Sequence, residues 1–142
     1  MKDKFTGGLM DMKQHPNTKK HMRRQLIDWK HSVKKSQKQC YVTGSTEDLE
    51  IHHANHSFSD IFHEAHEALG LEYHKDTADY NEADLQALID EVVKMHEDVI
   101  PVVLTQKIHL ALHQRYGSHV DMDQINEFKA EYIKNNNKKV VR

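Results

Sequence analysis

The chain has 142 residues, 37% of them hydrophobic and 30% charged, with a formal net charge of −2, which is material for one domain with a modest core. Its single cysteine, Cys40, excludes an intrachain disulfide and a four-cysteine zinc knuckle and suits the reducing cytosol. No run approaches the roughly eighteen apolar residues of a membrane helix, and residues 1–18 have no apolar stretch of the signal-peptide kind, so neither a membrane span nor a secretory leader is expected.

The small net charge hides a partition. Residues 1–40 carry eleven bases against three acids, a net of +8; residues 41–100 carry two against fifteen, a net of −13; the remainder carries seven against four, a net of +3. Basic ends suit a polyanion, while an acidic middle faces away from it or attracts cations.

Residues 1–18 mix Gly7, Gly8, Pro16 and Asn17 with scattered charges and read as a mobile arm. A helix is expected over 19–38, with Met22, Leu26, Trp29 and Val33 as one apolar stripe. Lys20, Arg23, Arg24, Lys34 and Lys35 lie off that stripe, as a solvated face or as phosphate contacts. Trp29, on the stripe, suits either packing or contact with a nucleic-acid base.

Cys40, Tyr41 and Val42 read as a short strand, Thr43 to Thr46 as a turn, and Leu49 and Ile51, alternating with Glu50 and His52, as a second strand ending at His52 and His53. A helix follows from Ser59 or Asp60 to Gly70, then a polar loop over 71–80, then a helix from Asn81 or Asp84 that carries Leu88, Val92 and His96. Pro101 ends or restarts structure. Thr105 caps a helix over 106–116 that Gly117 closes, and a last helix over 121–133 precedes a polar, basic tail at 135–142. The expected organisation is therefore the arm, one domain over 19–134, and the tail.

The chemistry concentrates in four histidines. His109 and His113, four apart on a helix, share one face, whereas the adjacent His52 and His53 on a strand point to opposite faces. If the strand ends against that helix, His52 becomes a third ligand to the ion that His109 and His113 grip, and His53 is left to take a proton from water. Three protein ligands leave positions open for substrate and water. The ion would be one divalent cation, and the sequence does not choose among Mg²⁺, Mn²⁺ and Zn²⁺.

The blocks Cys40-Tyr41-Val42-Thr43-Gly44 and Leu49-Glu50-Ile51-His52-His53, with the stretch 104–117 that carries His109 and His113, together resemble the HNH endonucleases, the ββα-metal nucleases, and specifically their phage-associated and homing-type branch. The resemblance runs from about Trp29 to Phe128. It implies an α+β fold, a mainly helical small domain around a ββα-metal core of hairpin plus metal-binding helix. It further implies metal-dependent hydrolysis of DNA, often as a nick in one strand, in a bacterial or phage-infected cell. By position, His52, His109 and His113 fall on metal ligands and His53 on the general base.

The family's middle Asn, which orients the base, has no counterpart here, and His96 is the nearest candidate for that catalytic position. The paired cysteines of many relatives are absent, with Thr105 where one is expected. No length remains for a separate DNA-recognition module, so specificity falls to the basic helix, the termini or a partner protein. Arg115, just beyond His113, is a further candidate for a phosphate. His56, His63 and His66, with Glu64 and Glu67, lack the spacing of a helical zinc motif and read as a polar helix face. A DNA-binding accessory protein on an inactive scaffold, or a metal-binding regulator that touches no nucleic acid, are the competing functions; oligomeric state is open.

Overall fold

The computed structural model describes residues 17–141, so the expected arm lies, but for Asn17 and Thr18, outside the described residues. The helices are α1 (Thr18–Arg24), α2 (Ile27–Ser36), α3 (Phe58–Leu69), α4 (Glu82–Met95), α5 (Gln106–Tyr116) and α6 (Met122–Val141); the strands are β1 (Leu49–His53) and β2 (Pro101–Thr105). The class is α+β, as expected: mostly helical, with one antiparallel two-stranded sheet among the described residues. Among the described residues no helix is long and apolar enough to cross a membrane. The chain divides into two compact units, one of residues 17–28 with 59–97 and one of residues 29–58 with 98–141.

In the first unit, Asn17 caps α1 by accepting from the Lys19 and Lys20 amides, which satisfies donors that lack an intrahelical partner. The helix expected over 19–38 is two helices. The Gln25 amide is shared between the His21 and Met22 carbonyls, and the Leu26 amide bonds three residues back, to Arg23, which tightens the last turn and ends the i→i+4 ladder. Of the apolar stripe, Met22 and Leu26 belong to this unit and Val33 to the other, and all three are buried. α3 buries Ile61, Phe62 and Ala65 and stops at Gly70, whose positive φ suits a residue without a Cβ. Its buried His66 donates through Nδ1 to the Phe62 carbonyl and accepts at Nε2 from the Tyr80 hydroxyl, 2.7 Å away. α4 starts at Asn81, whose side chain accepts from the Asp84 amide, and buries Leu88 and Val92.

The second unit is built on β1 and β2, paired antiparallel with Leu49 opposite Thr105, Ile51 opposite Val103 and His53 opposite Pro101. The expected hairpin is corrected here. Cys40, Tyr41 and Val42 are not the partner strand of β1; they belong to a tight loop in which Cys40 donates its amide to Ser45 and accepts from Gly44. Gly44 sits at φ +79°, where a side chain is strained. The true partner comes from the apolar run Val102, Val103 and Leu104, all buried, as a short strand covered on both faces requires. The outer edge of β2 is closed by a side chain and a loop amide. Gln37 donates to the Pro101 carbonyl and accepts from the Val103 amide, and the Tyr41 amide donates to the Val103 carbonyl.

β2 passes directly into α5, with Thr105 accepting from the Ile108 amide as the N-cap. Ile108 and Leu112 of α5, Val120 and Ile125 then pack with Cys40, Val42, Ala54, Val102 and Leu104 in one core. This fixes α5 beside the strand pair and completes the strand, strand and helix arrangement. α6 runs to Val141, past the expected end at 133 and into the expected tail.

Candidate metal centre

The two-residue period of a strand puts Glu50 and His52 on one face of β1 and His53 on the other, while the helical period puts His109 and His113 on one face of α5. Because α5 packs beside β1, these faces meet. His52 Nδ1 lies 3.1 Å from His109 Nε2, and His109 Nε2 lies 3.2 Å from His113 Nε2. The three ring nitrogens fall within 4.8 Å of one another, the one such group of three metal-ligating side chains among the described residues.

The opposite nitrogen of each ring fixes its tautomer. His52 Nε2 is 2.7 Å from the Val120 carbonyl and His113 Nδ1 is 2.8 Å from the Gly117 carbonyl. A carbonyl only accepts, so both nitrogens carry the proton. His109 Nδ1 is 2.8 Å from Glu50 Oε1 and donates to that carboxylate. In its neutral form each ring therefore turns a bare lone pair toward the other two. One extra proton bridges only one pair of them, whereas a single cation at the centre satisfies all three.

Two of the three nitrogen spacings fit such a cation, and the third, between His52 and His113, is within 4.8 Å. Nitrogens about 2.0–2.1 Å from a tetrahedral ion stand roughly 3.3 Å apart, close to the 3.1 and 3.2 Å found here. Partners on the outward nitrogens orient metal-binding imidazoles and raise their basicity, and a carboxylate partner does so most strongly. Burial, 4% exposed, pushes His52 down to about pKa 4; the Val120 carbonyl opposes this, and the neighbouring His109 and His113 add to it. His52 is therefore neutral, with its lone pair available, across the physiological range.

Two local features secure the arrangement. Gly117 closes α5 at φ +96° and, in that conformation, returns its carbonyl to His113. Asn55, two residues after His53, donates to the Asp98 carbonyl and accepts from the Ile100 amide, and so ties the end of β1 to the entry of β2.

The other sequence candidates are distributed as follows. His53 faces away from the trio, beside the Trp29 ring at a centroid distance of 5.3 Å, and lines a cleft with Asn55, Ile100 and His119. His96 belongs to the first unit; it is 1% exposed at the end of α4 and donates through Nδ1 to the Val92 carbonyl. Lys20, Arg23 and Arg24 are exposed on α1, and Lys34 and Lys35 on α2. Arg115 is held by Glu131 of α6 through two hydrogen bonds of 3.0 and 2.7 Å.

Sequence reasoning missed Glu50, the Val120 and Gly117 carbonyls, and Asn55. Glu50 had a signal, since it precedes His52 by two on a strand; the carbonyls had none. Strand pair, helix and histidine cluster together make an arrangement of the ββα-metal type, with a trio able to hold a divalent ion. Comparison with protein-family models, curated proteins and solved structures finds no match.

Proposed function

We propose that the protein is a metal-dependent endonuclease that hydrolyses phosphodiester bonds in DNA, in the manner of the HNH nucleases and as a nick in one strand. The observation that carries this reading is the convergence of three imidazole lone pairs, each fixed by a partner on its far nitrogen, one residue from a further histidine at the end of the same strand. A bound divalent ion supplies charge stabilisation to the phosphate in the transition state.

The chain's own residues do the rest. His52, His109 and His113 hold the ion, and Glu50 keeps His109 in the tautomer that binds. His53, in its neutral form, takes a proton from the attacking water as the new oxygen–phosphorus bond forms. The bond to the leaving oxygen breaks with its electron pair, and that oxygen is protonated by solvent. Lys20, Arg23, Arg24, Lys34 and Lys35 contact the DNA backbone, and Arg115 joins them when Glu131 yields it. Such contacts position the DNA without reading its sequence, so a partner protein supplies specificity.

Supercoiled plasmid incubated with wild type and His53→Ala in Mg²⁺, Mn²⁺, Zn²⁺ or chelator tests this. The expected result is nicking by wild type alone, abolished by chelator. Cleavage by His53→Ala at the wild-type rate overturns the base assignment. Salt-sensitive DNA binding with no turnover in any metal overturns the enzyme reading.

A further inference from the structure

An imidazole at the end of a strand has a weak intrinsic preference about its second side-chain torsion, which is broad and roughly two-fold rather than three-welled. A histidine that must present one nitrogen edge to a water therefore needs a neighbour to fix its plane. Trp29 lies against His53 with ring centroids 5.3 Å apart and planes inclined at 43°.

The helix that carries Trp29 is itself fixed to the sheet. Gln37, immediately past the end of α2, donates 2.8 Å to the Pro101 carbonyl and accepts 3.0 Å from the Val103 amide. Pro101 is the residue paired with His53 across the strands. Between Gln37 and Trp29, the buried Val33 lies on the same helical face as Trp29. One end of α2 is thus tied to the strand opposite His53, and an indole two turns earlier reaches the His53 ring.

We infer that Trp29 is a positioning residue that holds the His53 imidazole in the plane from which it accepts the water proton. This rests on the reading of His53 as general base. It gives the tryptophan of the α2 stripe a role beyond packing and assigns it no contact with substrate.

The test uses the full chain as wild type, His53→Ala, Trp29→Ala and Trp29→Phe. Plasmid nicking is measured for kcat and KM, Co²⁺ titration for the metal site, and circular dichroism for the fold. Trp29→Ala should lower kcat by about tenfold, part of the 10²–10⁴ that a positioned base contributes, with KM and Co²⁺ affinity unchanged. Trp29→Phe, which keeps an aromatic wall, should recover most of the loss. A Trp29→Ala enzyme with wild-type kcat, or a Trp29→Phe enzyme no better than Trp29→Ala, overturns the inference.

A readout independent of turnover comes from the sole tryptophan of the chain. Its fluorescence intensity should change in His53→Ala, and an unchanged spectrum means that the rings do not meet and the inference fails. Full activity in His53→Ala removes the base assignment and the positioning role with it. A dead His53→Ala beside a fully active Trp29→Ala removes the positioning role alone.

Discussion

The burial of His52 predicts how the metal-free protein responds to acid. Its ordinary pKa of 6.5 is pushed to about 4 in the folded chain, mainly by burial. Between those two values the unfolded chain binds a proton that the folded chain refuses, so stability rises with pH across the window. The contribution is present in full above about 6.5, falls as the pH drops, and is lost in full only below about 4. A displacement of this size corresponds to on the order of 3 kcal/mol. Urea unfolding of wild type and His52→Gln in chelator, at steps from pH 4 to 7.5, isolates it. Glutamine does not titrate, so any constant offset between the proteins is irrelevant and only the difference in pH slope counts. Wild type should lose about 3 kcal/mol more than His52→Gln on going from the top of the range to the bottom. Equal slopes would refute the reasoning, because His52 would then protonate as readily in the folded chain as in the unfolded one.

Three further outcomes follow from the same contacts. Removing the Glu50 carboxylate with Glu50→Ala should weaken Co²⁺ or Zn²⁺ binding by roughly 10–100-fold. Glu50→Gln, which still accepts from His109 Nδ1 but has no charge, should fall between it and wild type; equal affinities in isothermal titration would contradict the orienting role. Gln37→Ala strands the fully buried Val103 amide and should cost about 1–3 kcal/mol in urea unfolding, with no measurable loss counting against the edge closure. Thr105→Ala removes the cap of α5 and should cost about 1 kcal/mol by the same assay; a neutral substitution would show that the β2 to α5 junction does not depend on it.

The parts of this fold legible in the sequence are those set by local chemistry. Asn81 and Thr105 accept the helix-start amides as their side chains predict, and Gly70 and Gly117 take the positive φ that ends a helix. The histidine trio was legible for the same reason, since the strand and helix periods alone put His52 on one face and His109 with His113 on another. Non-local contacts were not legible. The pairing of β1 with β2 joins segments about fifty residues apart, and the nearer Cys40 to Val42 run had strand-forming residues that only the Gly44 turn and the Tyr41 bond to Val103 redirect. The break in the first helix lies at Gln25 and Leu26, where the amides turn to carbonyls three residues back, and an unbroken apolar stripe does not reveal it. The orienting carbonyls of Val120 and Gly117 belong to the backbone and carry no residue-type signal at all.

Binding of one divalent ion by the three imidazoles is read out by a Co²⁺ titration followed by visible absorption. Imidazole donors favour borderline transition metals over the oxygen-seeking Mg²⁺. Wild type should therefore saturate at one Co²⁺ per chain and resist displacement by Mg²⁺. His109→Ala and His113→Ala should lose that binding, and His63→Ala, exposed on α3, should keep it. The absence of saturable binding in wild type, or binding that survives His109→Ala unchanged, would contradict the account.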